Sequence, residues 1–315
     1  MPLSIDVFFI LSSFLLTLLG VNEYKKNGNF SFKNYFIRRA LRIWPLYFLI
    51  MFFSFVVLKL VKAYTGQQIT LPPAGWYLFF ISNFYLSSHV FFLRLLWTLS
   101  VEEQFYLIWG LCLLLFQKHL SWVISLLSLI SILFIFVATA NKIGIYFNTL
   151  TYIIDMMAGA YAAFCITQNN ALVNYIKHLN KNKIYWYYIS MPVLFVLYYF
   201  TDNAATELFK EFLPEIFRLF FIAYVSLVII EQMVNVSSGL NLSKNKLLIY
   251  TGKISYGLYC IHGMVISFGI MALKKMSFKL PGLIEAFILL LITFALASIS
   301  YVVIEKPFLK LKGRF

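Results

Sequence analysis

The stretch Leu283 to Ile304, LIEAFILLLITFALASISYVVI, is long and apolar enough to cross a bilayer as one helix. Such a helix needs about 20 mostly apolar residues. Working outward from it, runs of the same kind recur near residues 4–21, 43–61, 97–116, 121–139, 149–167, 185–200, 215–231 and 254–273. With 283–304 they predict about nine spans in a single membrane domain covering residues 1–315. A tenth run, 76–86 (WYLFFISNFYL), is too short to span and is expected to be re-entrant or interfacial. The runs are unbroken rather than alternating, so the expected fold class is an all-α, polytopic transmembrane helical bundle.

Composition agrees. Of 315 residues, 62% are apolar and only 12% charged, about half the charged fraction of a soluble domain. A soluble globule has too little interior to hide that much apolar surface. Aromatic residues make up 19%, which excludes a disordered chain. The net charge of +14 sits mostly in loops between the apolar runs, as the positive-inside rule expects, so nucleic acid is not an expected partner. Cys112, Cys165 and Cys260 lie in apolar runs without paired spacing, giving no disulfide framework and no metal site.

Loop charge also sets the orientation. The 22–42 loop carries Lys25, Lys26, Lys33, Arg38, Arg39 and Arg42, which places it in the cytoplasm. Counting onward, the loops with Lys118, with Lys177, Lys181 and Lys183, and with Lys244, Lys246 and Lys253 fall inside, as does the tail from Lys306 to Arg314. The loop with Lys274, Lys275 and Lys279 disagrees. This orientation puts Met1 on the outer face with no signal peptide before it. One further helix upstream, making ten, would restore a cytoplasmic start.

Ionisable groups at membrane depth are expensive and are functional candidates by default. Arg38, Arg39 and Arg42 fall three and four residues apart, on one helical side. They read either as a guanidinium fork for phosphate or as a topology anchor. Ser100 and Glu103 have the spacing of a capping box at a helix start. Glu102 points about 100° away from Glu103, toward Phe105 and Tyr106, and reads equally as a cap or as a catalytic group. Ser255, Tyr259 and His262 draw a polar stripe expected to face the bundle interior. His262 is either a hydrogen-bonded core histidine or a general base. Asp155 either pairs with an arginine or lines the same cavity. No phosphate-binding loop, dinucleotide fingerprint, serine-hydrolase elbow or metalloprotease motif is present.

Several of these residues fall in a familiar order. Ile5 to Leu15 (IDVFFILSSFL), Phe36 to Pro45 (FIRRALRIWP), Trp97 to Tyr106 (WTLSVEEQFY), Ile254 to His262 (ISYGLYCIH) and Ile304 to Phe308 (IEKPF) resemble the motifs of the bacterial acyltransferase-3 family of membrane O-acyltransferases. The resemblance implies transfer of an acyl group, often acetyl, from acyl-CoA as co-substrate to a hydroxyl of a glycan or lipid-linked saccharide. It implies a multi-pass protein of the bacterial cytoplasmic membrane with no permanently bound cofactor. It assigns Arg39 and Arg42, with Arg38, to the acyl-CoA side, and Glu102, Phe105 and Tyr106 to the core of the site. Glu102, and His262 as the only histidine within an apolar run, are the candidate catalytic residues, and Tyr106, with Asp155 and Tyr259 read from their place in the apolar runs, the candidate substrate-binding ones. Two departures stand out. The family's Ser-Gly-Phe is Ser12-Ser13-Phe14 here, and nothing matches the family's first helix with its catalytic histidine. The rival readings are a transporter or flippase, whose usual inverted repeat is not visible, and an inactive homologue.

Overall fold

The computed structural model describes residues 3–65, 72–85, 90–204, 207–235, 244–275 and 281–314. In chain order its helices are α1 (Leu3–Asn27), α2 (Phe32–Thr65), α3 (Gly75–Leu78), α4 (Phe91–Arg94), α5 (Trp97–Leu115), α6 (Leu120–Ala140), α7 (Thr149–Gln168), α8 (Ala171–Lys177), α9 (Lys181–Ala204), α10 (Glu207–Val234), α11 (Lys246–Lys275), α12 (Gly282–Ser300) and α13 (Lys306–Leu311). Among the described residues there is no strand, and eight helices are long and apolar enough to span a membrane. The chain is therefore an all-α, multi-pass membrane protein. The expected run at 185–200 is the ninth long helix, α9.

Most helices outrun the apolar stretches that announce them. The expected 22–42 loop is mostly helix, since α1 continues to Asn27 and α2 starts at Phe32. Gly28 ends α1 with φ +73°, its N–H donating to the Tyr24 carbonyl at 2.8 Å, a left-handed helix stop that glycine adopts without strain. The three arginines therefore lie inside a helix rather than in a loop. Lys279 of the discordant loop lies outside the described residues.

The chain folds as two compact units. The first comprises residues 1–32 and 105–244. Its core gathers Ile10 and Phe14 of α1, Ile135 of α6, Ala162 and Cys165 of α7, Val173 of α8 and Ile229 of α10. α1 and α7 approach most closely at Gly159, where an added Cβ would stand 2.1 Å from the Ile10 carbonyl oxygen and 2.3 Å from Ser13 Oγ. Without water to drive association, helices in a bilayer gain from such small-residue contacts. The two helices run in the same direction, for at their far ends Lys25 Nζ donates to the Thr167 carbonyl.

The second unit comprises residues 33–104 and 245–315. The short 76–86 run becomes α3 and a 3₁₀ turn at Ser82–Phe84, short of a span as expected. Irregular backbone at membrane depth needs partners, and side chains supply them. Tyr47 Oη donates to the Tyr77 carbonyl at 2.8 Å, and Gln104 Nε2 to the Phe80 carbonyl at 2.8 Å and to Asn83 Oδ1 at 2.9 Å. Ser100 Oγ accepts from Ser82 N at 3.3 Å. Phe80 holds a left-handed φ of +53° and stacks on Tyr47 at 4.5 Å. This overturns the capping-box expectation. α5 begins at Trp97, so Ser100 lies inside it and serves the neighbouring turn instead. At the other end of the unit, α12 passes into a π turn at Tyr301–Glu305 before α13.

Candidate functional site

The second unit holds most of the residues singled out from sequence. Arg38, Arg39 and Arg42 project half-buried from the early turns of α2. Lys312, just past α13, feels the charge of all three. Glu305, buried at 4% exposure, faces Arg42 electrostatically. Its approach depends on Gly257, where an added Cβ would stand 3.0 Å from Glu305 Oε1. Behind the cations lie two buried acids of α5. Glu103 accepts from Trp44 Nε1 at 3.4 Å and interacts with Arg39, while Glu102 adjoins Cys260 and Tyr256. Tyr256 Oη donates to the Ile43 carbonyl at 2.7 Å, tying α11 to α2 beside this group. The structure thus collects the arginines, both glutamates, Glu305 and Lys312 into one polar centre. Lys312 was not among the expected site residues.

His262 lies elsewhere in the same unit. α5 and α11 run antiparallel, as Gly263 meets Phe92 and Leu95 while Tyr259 Oη bonds to the Leu95 carbonyl and to Thr98 Oγ1. From the Tyr259–Thr98 contact, Glu102 lies one turn along α5 in one direction. His262 lies almost one turn along α11 in the opposite direction. At 1.5 Å per residue they are about 10 Å apart along the helix axes. The two candidate catalytic residues therefore do not converge. The polar stripe on α11 is also divided. Ser255 Oγ bonds its own helix at the Gly252 carbonyl, Tyr259 is spent on α5 and its preceding turn, and only His262 reaches a cavity.

That cavity, about 570 Å³, lies between α11 and α12 and is lined by His262, Ile266, Ile270, Glu285, Leu289 and Thr293 among others. His262 Nδ1 bonds the Tyr259 carbonyl oxygen at 2.5 Å. A carbonyl only accepts, so Nδ1 carries the proton and Nε2 is the basic nitrogen of the neutral ring. Glu285, the other ionisable group on the cavity wall, escaped the sequence reading although it lies in the run that opens it. The rule that flagged Asp155 applies equally to it.

Tyr106 and Asp155 belong to the first unit. Tyr106 Oη bonds Ser12 Oγ at 2.6 Å. Asp155 resolves in favour of an arginine partner. Arg218 Nη2 donates to Asp155 Oδ2 at 2.6 Å and to the Thr151 carbonyl at 3.2 Å, and Arg218 Nε donates to Asp6 Oδ1 at 3.1 Å. Glu215 stands 3.7 Å from Arg218 Nη1, and the guanidinium lies 5.1 Å from the Tyr152 ring centre. This is a dense, buried ion cluster, one guanidinium among three carboxyl groups.

Comparison with known proteins supplies the family. The chain matches the family described as "Acyltransferase domain" over residues 1–302. It is similar to the peptidoglycan O-acetyltransferase OatA of Listeria monocytogenes, 26% identical over 335 residues that cover 98% of this chain and 51% of that protein. It is also similar to YrhL of Bacillus subtilis, provisionally named a peptidoglycan O-acetyltransferase, at 28% identity with 97% and 50% covered. A provisionally named O-acetyltransferase of Staphylococcus aureus shares 28%, with 98% and 52% covered. The chain spans about half the length of these curated relatives. No solved structure matches it. With the match covering residues 1–302 of 315, the chain belongs to the acyltransferase-3 family.

Proposed function

We propose that this domain is a membrane O-acyltransferase that moves an acyl group, acetyl in the first instance, from acyl-CoA to a hydroxyl of a cell-envelope glycan. Peptidoglycan is the acceptor that the relatives' names suggest. The observation that carries the reading is the polar centre of the second unit, where half-buried guanidiniums stand in front of two buried carboxylates. Guanidinium forks suit the phosphates of a CoA thioester arriving from the cytoplasm, and the cytoplasmic membrane follows from that orientation. Glu102 then lines the donor's side and His262 Nε2 serves the acceptor's side. His262 takes the proton of a glycan hydroxyl as its oxygen attacks the thioester carbon. The carbon–sulfur bond breaks, the ester forms, and His262 passes its proton to the departing sulfur, which leaves as the CoA thiol. In this reading Tyr106, Tyr259 and Asp155 are structural rather than substrate-binding, since the hydroxyls and the carboxylate already have protein partners.

The test is labelled acetyl transfer from acetyl-CoA to cell-wall glycan fragments by the full-length protein in proteoliposomes. Arg39→Ala and Arg42→Ala should each raise the donor KM at least tenfold, and His262→Ala should lower kcat by about 10² or more. If Arg39→Ala and Glu102→Ala both leave transfer unchanged, the residue roles fail. If no labelled ester forms on any envelope glycan, the activity fails.

A further inference from the structure

The cavity that His262 reaches has a second polar end. Gly257 meets Ala297 and Gly269 meets Leu289, so α11 and α12 run antiparallel and His262 stands level with Thr293. Thr293 shares the cavity wall. Its Oγ1 donates to the Leu289 carbonyl at 2.7 Å, which leaves the oxygen able to accept. Glu285 precedes Thr293 on α12 by just over two turns, about 12 Å along the axis. It stands half-buried in the first turn of that helix, and the orientation set by the loop charges puts this turn at the outer face. Between the two ends the wall is aliphatic, with Ile266, Ile270, Leu289 and Leu290. Among the described residues on the wall, His262 and Glu285 are the only ionisable ones. Gly282 and Ala286 flank Glu285 there and leave its carboxylate room, since even an added Cβ at Gly282 would meet nothing within 4 Å. The helix dipole favours an acid in a first turn on any side of the helix. It does not account for an acid on the wall of a cavity whose far end carries a base.

We propose that Glu285 determines which acceptors the protein uses. The slot takes a saccharide of at least two units, with the hydroxyl to be acylated at His262 and the hydroxyls of the neighbouring unit donating to the Glu285 carboxylate. This rests on the reading of His262 as the base on the acceptor's side. The slot is longer than one sugar ring, so a single unit at His262 leaves Glu285 unengaged. The C–H face of a sugar ring lies against the aliphatic wall, while the few polar groups at the two ends fix its register. A carboxylate only accepts, and its two oxygens take two hydroxyl donors at once. A lipid tail would fill the aliphatic middle but would give neither His262 nor Glu285 a partner. A site built to hydrogen-bond its substrate discriminates against an analogue that lacks the donors, which makes the second unit the one that is read.

The experiment is labelled acetyl transfer from acetyl-CoA by the full-length protein in proteoliposomes, with the peptidoglycan disaccharide repeat or either of its single sugars as acceptor. Wild type should favour the disaccharide in kcat/KM by about tenfold or more over the better single sugar. Glu285→Ala should cut that preference to about threefold or less, through the disaccharide KM rather than kcat. Glu285→Gln, whose side-chain oxygen still accepts, should keep most of it. Thermal unfolding checks that both variants fold. Equal use of disaccharide and single sugar by wild type overturns the proposal, as does an undiminished preference in Glu285→Ala. Glu285→Gln as poor as Glu285→Ala shows that charge, not accepted hydrogen bonds, holds the acceptor, and overturns it too. His262→Ala separates the two layers. If it leaves transfer intact, the reading of the acceptor's side fails and this inference with it. If it abolishes transfer while Glu285→Ala keeps the preference, only the role of Glu285 fails.

Discussion

Arg218 sets one positive charge against Asp6, Asp155 and Glu215 almost without solvent, at 1% exposure. Removing one partner from a buried ion group costs more than the group contributes, because the remaining charges stay buried and uncompensated. Arg218→Met should therefore destabilise the protein by about 3–5 kcal/mol, read as a drop in thermal unfolding temperature in detergent. Asp6→Asn and Asp155→Asn added to it should restore part of the loss by removing the orphaned charge. Asp155 was legible from sequence as a costly residue in an apolar run. Asp6 and Arg218 lie inside predicted runs too, so the same reasoning reaches them. Which acid meets which base was not legible. Asp6 and Arg218 are 212 residues apart, and nothing local joins them. The same holds for Glu305 and Lys312, whose link to the arginines depends on how α12 packs.

Among elements, the apolar runs located every long helix, because hydrophobicity over twenty residues is a strong signal. Their ends were less legible. Polar residues such as Lys25 or Arg38 continue a helix readily once an apolar neighbour anchors it, so α1 and α2 extend into the expected loop. The spacing of Ser100 and Glu103 misled for a related reason. A capping pattern means a cap only where the preceding chain is not already helical, and here Trp97 opens the helix. The tightest joint is the one between α1 and α7. Gly159→Ala would thrust a methyl into the Ile10 carbonyl, so it should cost about 1–3 kcal/mol or more through forced helix separation. Gly144→Ala, where an added Cβ meets nothing within 4 Å, should stay within about 0.5 kcal/mol of wild type. Thermal unfolding of the two variants side by side decides this. Small residues at positions 13 and 159 were visible in sequence, but not that they face each other.

For the molecule as a whole, the alternation of Lys- and Arg-bearing loops predicts an orientation that can be checked directly. With Cys112, Cys165 and Cys260 replaced, Asn141→Cys should react with an impermeant maleimide added outside intact cells. Asn27→Cys should react only after permeabilisation. The reverse pattern would place the arginines of α2 on the outer face and remove their access to a cytoplasmic donor. One local irregularity bears on this level as well. The π turn at Tyr301–Glu305 holds one more residue than an α turn would. Deleting a single residue there would leave a hydropathy profile indistinguishable from the original, and the segment would still cross the bilayer. Yet everything after the deletion would swing by about 100° about the helix axis, carrying Lys312 away from the arginines. A one-residue gap in this short stretch is therefore a rotary setting, by which otherwise similar chains would differ in the charge they present at the membrane surface.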